Sequence, residues 1–180
     1  GSEAISAVDA AMSAWESAGA ESGNSRLPAS FEEVLDHHRI VLVSGLAANH
    51  RNHYPDNADR YPRGLGGLIA EGLDFRMTRF IEARRHQMQL KAEILQCFDN
   101  FDVLVCPAAV GGAPDTSTTG DPSMNAPWSY TGLPTVSFPI GHTDDGLPLS
   151  VQLIGRPDGE TGLFRAAAWC EANRLAAQTS

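Results

Sequence analysis

Residues 135–153, Thr-Val-Ser-Phe-Pro-Ile-Gly-His-Thr-Asp-Asp-Gly-Leu-Pro-Leu-Ser-Val-Gln-Leu, hold two apolar segments on either side of a polar, glycine-containing turn. In the first segment Val136 and Phe138 flank Ser137, and the second segment alternates in the same way. Alternation with a period of two is typical of a strand with one buried face, and Asp-Asp-Gly suits a tight turn. The stretch therefore predicts a hairpin-like pair of strands. We expect Gln152, polar among apolar neighbours, either to face solvent or to satisfy a backbone group.

The segments on either side of this hairpin extend the sheet and cover it. Residues 103–106, Val-Leu-Val-Cys, form a short apolar run that ends at Pro107, which is typical of a buried central strand. Residues 107–127 are rich in Gly, Pro, Ser and Thr and predict a long loop that is either functional or mobile. After the hairpin, Asp158 or Thr161 could cap a last helix that covers one face of the sheet.

The first half of the chain has the periodicity of helices rather than strands. Helices are predicted over residues 4–18, 31–52, 65–72 and 75–98, and residues 21–28 predict a short strand or turn. We expect the fourth helix to point its large apolar side chains inward and its basic side chains outward. The apolar set is Met77, Ile81, Met88, Leu95 and Phe98, and the basic set is Arg76, Arg79, Arg84, Arg85 and Lys91.

This order of elements predicts an α/β fold with a mixed β-sheet and flanking helices. A length of 180 residues fits a single domain over residues 1–180, and residues 1–2, Gly-Ser, have the look of a tag remnant.

Net charge limits the partners that we expect, and cysteine content bears on the cellular location. The formal net charge of −9 would repel phosphate backbones and anionic membranes, so we expect neither nucleic acid nor membrane as a partner. No apolar run is long enough to cross a bilayer. Three cysteines are too few for a disulfide framework, which favours a cytoplasmic location.

The sequence shows no complete catalytic machinery. No Gly-x-Ser-x-Gly elbow occurs, and the glycine clusters lack the Lys and Ser or Thr of a phosphate-binding loop. His50 and His53 with Asp56 could form one corner of a metal site, but a solvated helix end explains them better. Cys106 ends an apolar run, and burial would keep its thiol protonated. We therefore expect no metal and no cofactor.

Four motifs in the second half resemble the C-terminal region of the amidase signature family. They are residues 101–108 (Phe-Asp-Val-Leu-Val-Cys-Pro-Ala), 120–129 (Gly-Asp-Pro-Ser-Met-Asn-Ala-Pro-Trp-Ser), 131–141 (Thr-Gly-Leu-Pro-Thr-Val-Ser-Phe-Pro-Ile-Gly) and 145–155 (Asp-Gly-Leu-Pro-Leu-Ser-Val-Gln-Leu-Ile-Gly). The resemblance implies a fold shared with these hydrolases and, in a complete enzyme, hydrolysis of amide C–N bonds in a small molecule. It also implies that the C-terminal region supplies one wall of the substrate pocket, formed here by Asp121, Asn125, Trp128 and Ser129.

Members of that family use two serines and a lysine from a Gly/Ser-rich region, and this chain contains no such region. Its one lysine, Lys91, lies inside the predicted fourth helix. Three hypotheses follow: the C-terminal part of an amidase that is inactive alone, a non-catalytic oligomeric module derived from an amidase, or an independent hydrolase that uses Cys106 or a His-rich site. In each of the first two cases the chain would expose a strand edge and apolar sheet surface, so we expect a homo-oligomer.

Overall fold

A computed structural model describes residues 1–174 of the chain. The chain divides into two compact units, one that combines Gly1–Pro28 with Glu93–Ser180 and one that comprises Ala29–Ala92. Each unit is described in turn, and the single-domain organisation of residues 1–180 stays a prediction.

The first unit contains a three-stranded sheet. Its strands are β1 (Leu104–Pro107), β2 (Thr135–His142) and β3 (Pro148–Ile154), in the order β1-β3-β2. Both pairings are antiparallel, so within the described residues the sheet is antiparallel and not mixed as predicted. The predicted hairpin is confirmed as β2 and β3, and Gly146 in its turn has the positive φ of 81° that glycine tolerates best. The α/β class with flanking helices is also confirmed.

The prediction that residues 103–106 form a buried central strand is wrong. β1 lies at one edge of the sheet, and all four of its residues are half-buried. The central strand is β3, where Val151, Leu153 and Ile154 are fully buried. A short apolar run indicates a strand, but its position in the sheet depends on pairing that the run itself does not encode.

Pro107 fits the edge position of β1. The amide of Ala108 donates to the Ser150 carbonyl over 2.9 Å, so that residue faces β3. Because hydrogen-bonding direction alternates along an antiparallel strand, Pro107 and Val105 face the open edge. Proline has no amide hydrogen and is tolerated there without loss of a ladder bond.

Helices α1 (Ser2–Ser17) and α6 (Glu160–Asn173) cover one face of this sheet. The indole nitrogen of Trp15 donates to the Cys170 carbonyl over 2.8 Å and ties the two helices together. The core between helices and sheet consists of Ala11, Trp15, Phe138, Val151, Leu153, Leu163, Ala167 and Cys170.

The predicted caps of the last helix are wrong. The N-cap is Gly159, Thr161 lies inside the helix, and Asp158 precedes the cap with a φ of 57°.

Two other predictions are confirmed near the chain start, since α1 covers the expected span and Gly19 follows it with a φ of 105°. Residues 20–28 are irregular, so the predicted strand or turn there is absent.

The second unit is helical. It contains α2 (Val34–His50), α3 (Arg63–Leu73) and α4 (Met77–Glu93), with 3-10 turns at Ala29–Glu33 and Ala58–Arg60. A further 3-10 turn, Ile94–Phe98, follows α4 and belongs to the first unit. Helix α3 approaches α2 closely at Gly72, where an added Cβ would lie 2.0 Å from the Val43 carbonyl oxygen.

The predicted orientation of the fourth helix is wrong for most of its apolar side chains. Met77, Ile81 and Met88 are 71%, 44% and 62% exposed, and Leu95 just beyond α4 is also exposed, whereas Phe98 is buried as predicted. The buried face of α4 instead carries Ala83, His86, Gln87 and Leu90. The five basic side chains are exposed as expected. Periodicity predicted the helix itself, but the face that packs inward carries neither its large apolar residues nor its basic residues.

The remaining element is α5 (Ala126–Thr131), which the 3-10 turn Pro122–Met124 precedes. The loop predicted over residues 107–127 is irregular from Ala108 to Asp121 and then forms these two short helical turns. Among the described residues, no helix has the length and apolar character needed to cross a membrane.

Candidate functional site

A cleft of about 700 Å³ opens beside the long loop in the first unit. The loop residues from Ala108 to Asp121 form much of its wall, and Ser137 and Ser150 contribute from the sheet. Two of the four residues predicted to contact substrate, Asp121 and Asn125, line this cleft. Ser137 and Gln152 are cross-strand partners on β2 and β3, so the same sheet face extends beneath the cleft.

Asp121 is exposed and caps the 3-10 turn that follows it. Its Oδ1 accepts a hydrogen bond from the Ser123 amide over 2.8 Å. Hydrogen bonds from the backbone and side chain of Ser123 lower the pKa of Asp121, which therefore stays ionised at neutral pH. An ionised carboxylate has up to four acceptor positions, so this cap leaves acceptor capacity at the cleft.

Asn125 closes the loop at its base. Its Nδ2 donates to the Ala108 carbonyl over 3.1 Å, across 17 residues of sequence. Ala108 in turn donates its amide to Ser150 on the central strand. The two ends of the loop are thus joined to each other and to the sheet, which gives the cleft a fixed base.

Trp128 and Ser129 lie on α5 and are not brought into this cleft. Trp128 is buried and lines a second cavity, a groove of about 1150 Å³ whose walls include α1, β1 and α6. Ser129 is exposed and lines neither cavity. The structure therefore places Asp121 and Asn125 together at the cleft, whereas Trp128 and Ser129 do not line it.

Gln152 is the cross-strand neighbour of Ser137, and the sequence left its role open. The residue is 3% exposed, and its Nε2 donates to the Met124 carbonyl over 3.0 Å and contacts the Cys106 sulfur at 3.5 Å. Of the two expectations for Gln152, bonding to a backbone group is the one confirmed. The position of Gln152 in the strand could have indicated this role. Gln152 alternates with Val151 and Leu153, so its side chain points away from the apolar core.

Cys106 lacks the character of an activated nucleophile. Burial raises the pKa of its thiol, and hydrogen bonds from Gln152 and Trp128 offset this only in part. A thiol that remains protonated at neutral pH is a poor nucleophile. Lys91 is exposed on α4, in the second unit, and is not one of the residues that line this cleft.

The histidines do not form the arrangement considered from the sequence. His50 Nδ1 lies 3.0 Å from the Tyr61 hydroxyl, and neither His50 nor His53 belongs to a group of three ligating side chains. Within residues 1–174 such a group exists in the second unit, at Glu33, His37 and His86.

Comparison with known proteins assigns the fold and the sequence to one family. The family model for amidases matches residues 67–164, more than half of the chain and the part that contains the whole cleft. The chain belongs to the amidase family. This confirms the resemblance drawn from the four sequence motifs.

Individual relatives agree with this assignment. A protein of Mycobacterium tuberculosis named as an amidase, AmiB2, is 32% identical over 134 residues, which cover 67% of this chain and 28% of AmiB2. One of the subunits of the glutamyl-tRNA(Gln) amidotransferase from Thermosynechococcus vestitus is 31% identical over 109 residues, which cover 56% of this chain and 23% of that relative. The chain thus matches less than a third of the length of these relatives.

A solved structure shows the same fold. A crystal structure of an amidase superposes with a TM-score of 0.88 at 19% identity, over 96% of this chain and 42% of the amidase chain.

Proposed function

We propose that this chain is the C-terminal part of an amidase that hydrolyses amide C–N bonds, and that its cleft at Asp121 and Asn125 forms one wall of the substrate pocket. The observation that carries the proposal is the cleft itself, which is formed by residues 108–150 and so lies inside the region that matches the family. Relatives named as amidases and amidotransferase subunits support the reaction class.

The chemistry of the cleft suits recognition rather than bond cleavage. Amide hydrolysis needs an activated nucleophile, a proton acceptor and donors for the developing oxyanion. The chain offers instead an ionised carboxylate at Asp121 and the hydroxyl-bearing residues Ser137 and Ser150 at the cleft wall. These groups can accept hydrogen bonds from an amide N–H and orient it, without cofactor or metal.

We propose that the isolated chain is inactive. The Ser-Ser-Lys region used by the family is absent from the 180 residues, and the thiol of Cys106 is held in its protonated form. Trp128 and Ser129 stay predicted substrate contacts.

The free thiols of Cys97, Cys106 and Cys170 favour a reducing, cytoplasmic location.

The sequence of the gene immediately upstream of this reading frame tests the proposal. A continuous frame that encodes a lysine and a Gly/Ser-rich stretch supports it. A frame that begins here and lacks such a region would favour the alternative, a non-catalytic module.

That alternative is supported by the groove beside β1. Residues of β1 line this groove, together with the exposed part of Trp169 and the buried ring of Trp15. Apolar surface of this kind stabilises association by roughly 25 cal/mol for each Å² removed from water. We propose that a second copy of the chain covers the groove, as a homo-oligomer.

A further inference from the structure

The helical unit, residues 29–92, contains a cluster of three side chains that can bind a metal ion. Glu33 ends the 3-10 turn before α2, His37 lies one helical turn later, and His86 lies on α4. One ligand atom from each of the three lies within 4.8 Å of the others. Glu33 and His37 are one helical turn apart, and His86, far from both in sequence, reaches them where its ring stacks on that of His37.

From this cluster we propose a binding site for a divalent first-row transition metal ion, with Zn²⁺ as the representative ligand. Two imidazoles and one carboxylate form a donor set that such ions prefer, and three protein ligands leave a further position for water. The proposal concerns a different unit from the cleft and does not depend on the amidase activity.

Binding of an ion requires the three ligand atoms to move closer together. Zn²⁺ holds nitrogen and oxygen ligands at about 2.0–2.2 Å, so two ligands of a tetrahedral site are about 3.3 Å apart. His37 Nε2 is already 3.9 Å from Glu33 Oε2. The Glu33 side chain is 71% exposed and can move to close the remaining distance by changes of rotamer.

The surroundings of His86 match those of a metal-binding histidine. Its Nε2 lies 2.8 Å from the Ser30 carbonyl oxygen, an acceptor to which the nitrogen must donate. That bond fixes the proton on Nε2 in the neutral ring and leaves the Nδ1 lone pair directed elsewhere. Metal-ligating histidines characteristically donate their second ring nitrogen to a backbone carbonyl or carboxylate in this way.

His37 and His86 contact each other directly. The His37 ring is stacked on that of His86, with centroids 4.1 Å apart and planes 23° from parallel. Because the lone pair of an imidazole nitrogen lies in the plane of its ring, a cation bound by both residues would replace this stacked contact by ligation.

A bound ion would join the start of α2 to the middle of α4 within this unit. The sequence does not indicate this site, because His37 and His38 resemble ordinary helix residues and His86 is far from them in sequence. No spacing motif links these positions.

Binding of Zn²⁺ to the full chain, freed of any histidine tag, tests the proposal. Calorimetry in a non-coordinating buffer should show one Zn²⁺ per chain, and Co²⁺ should give visible absorption of a nitrogen- and oxygen-ligated site. Loss of outer-sphere partners alone weakens metal sites about 10–100-fold, so removal of a ligand should weaken binding at least about tenfold. We expect this for Glu33→Gln and for His37→Gln.

Glu33→Gln is the decisive variant, because the exposed side chain can be changed without loss of the fold. His53→Gln is the matched control, since His53 is an exposed histidine of the same unit outside the cluster. Unchanged affinity in the control with weakened affinity in Glu33→Gln supports the site. Absence of stoichiometric binding, or equal affinity in Glu33→Gln, His37→Gln and the unmodified chain, would overturn it.

Discussion

Gln152 Nε2 on the central strand donates a hydrogen bond over 3.0 Å to the carbonyl oxygen of Met124, the residue before Asn125 at the cleft. The two residues are 28 positions apart, and Gln152 is almost fully buried. A single buried amide thereby attaches the end of the loop to the sheet. The bond between Asn125 and Ala108 joins the two ends of the same loop.

Gln152→Met should therefore destabilise the chain, since a similar volume is kept while the Met124 carbonyl loses its donor. An unsatisfied buried acceptor costs about 1–3 kcal/mol. Urea denaturation followed by circular dichroism measures the change. Gln96→Met, at an exposed position, is the control and should change stability by less than about 0.5 kcal/mol. Equal stability of both variants would show that the bond contributes nothing.

Gly72→Ala should destabilise the helical unit, because the new methyl group would overlap the backbone of α2 at Val43. Overpacking of this kind costs about 1–3 kcal/mol. Gly67→Ala on the same helix has open space around its Cβ and should be neutral or stabilising by up to about 1 kcal/mol. Thermal unfolding of the two variants gives the comparison, and a Gly72→Ala protein as stable as Gly67→Ala would contradict the close helix contact.

Self-association should depend on the groove beside β1. Trp169→Gln removes an exposed apolar side chain that lines the groove, whereas Phe164→Gln removes one on the same helix that does not. Sedimentation at 0.15 M salt should show a dimer or larger species for the unmodified chain and for Phe164→Gln, and about tenfold weaker association for Trp169→Gln. A chain that stays a 19.2 kDa monomer at micromolar concentration would refute the proposal.

Asp121 should contribute to substrate binding in the complete enzyme. Asp121→Asn removes the negative charge at the cleft, so KM for an amide substrate should rise several-fold with little change in kcat. Asp115→Asn is a close control, because Asp115 lies in the same loop and accepts a similar bond from the Ser117 amide but does not line the cleft. Equal KM values for both variants would assign Asp121 a structural role only.

The sequence predicted those elements whose pattern is local. The hairpin followed from strict alternation around Asp-Asp-Gly, and the helices followed from apolar spacing and glycine stops. The face of α4 did not follow, because its interior side is formed by Ala83, His86, Gln87 and Leu90 rather than by its large apolar residues. Burial depends on which neighbour packs against a helix, and sequence periodicity carries no information about that neighbour.

The candidate site was predictable only in part, for a related reason. Asp121 and Asn125 lie on one short segment recognised from its motif, and the fold places both at the cleft. Trp128 is only three residues beyond Asn125, yet it lines the groove beside β1 together with Cys106 rather than the cleft. The contributions of Gln152 and Ser150 depend on strand pairing across the sheet. Such contacts appear only when the strands are assembled.

Amide hydrolysis by the chain alone, compared with the chain produced in continuity with any Ser-Ser-Lys segment that the gene encodes upstream, tests the central claim most directly. With an aryl amide substrate and matched protein concentrations, the isolated chain should hydrolyse the amide only at the background rate. The continuous protein should show clear turnover. Turnover by the isolated chain that survives repurification, or no turnover by a folded continuous protein against a panel of amides, would contradict the assignment of this chain as the substrate-side part of an amidase.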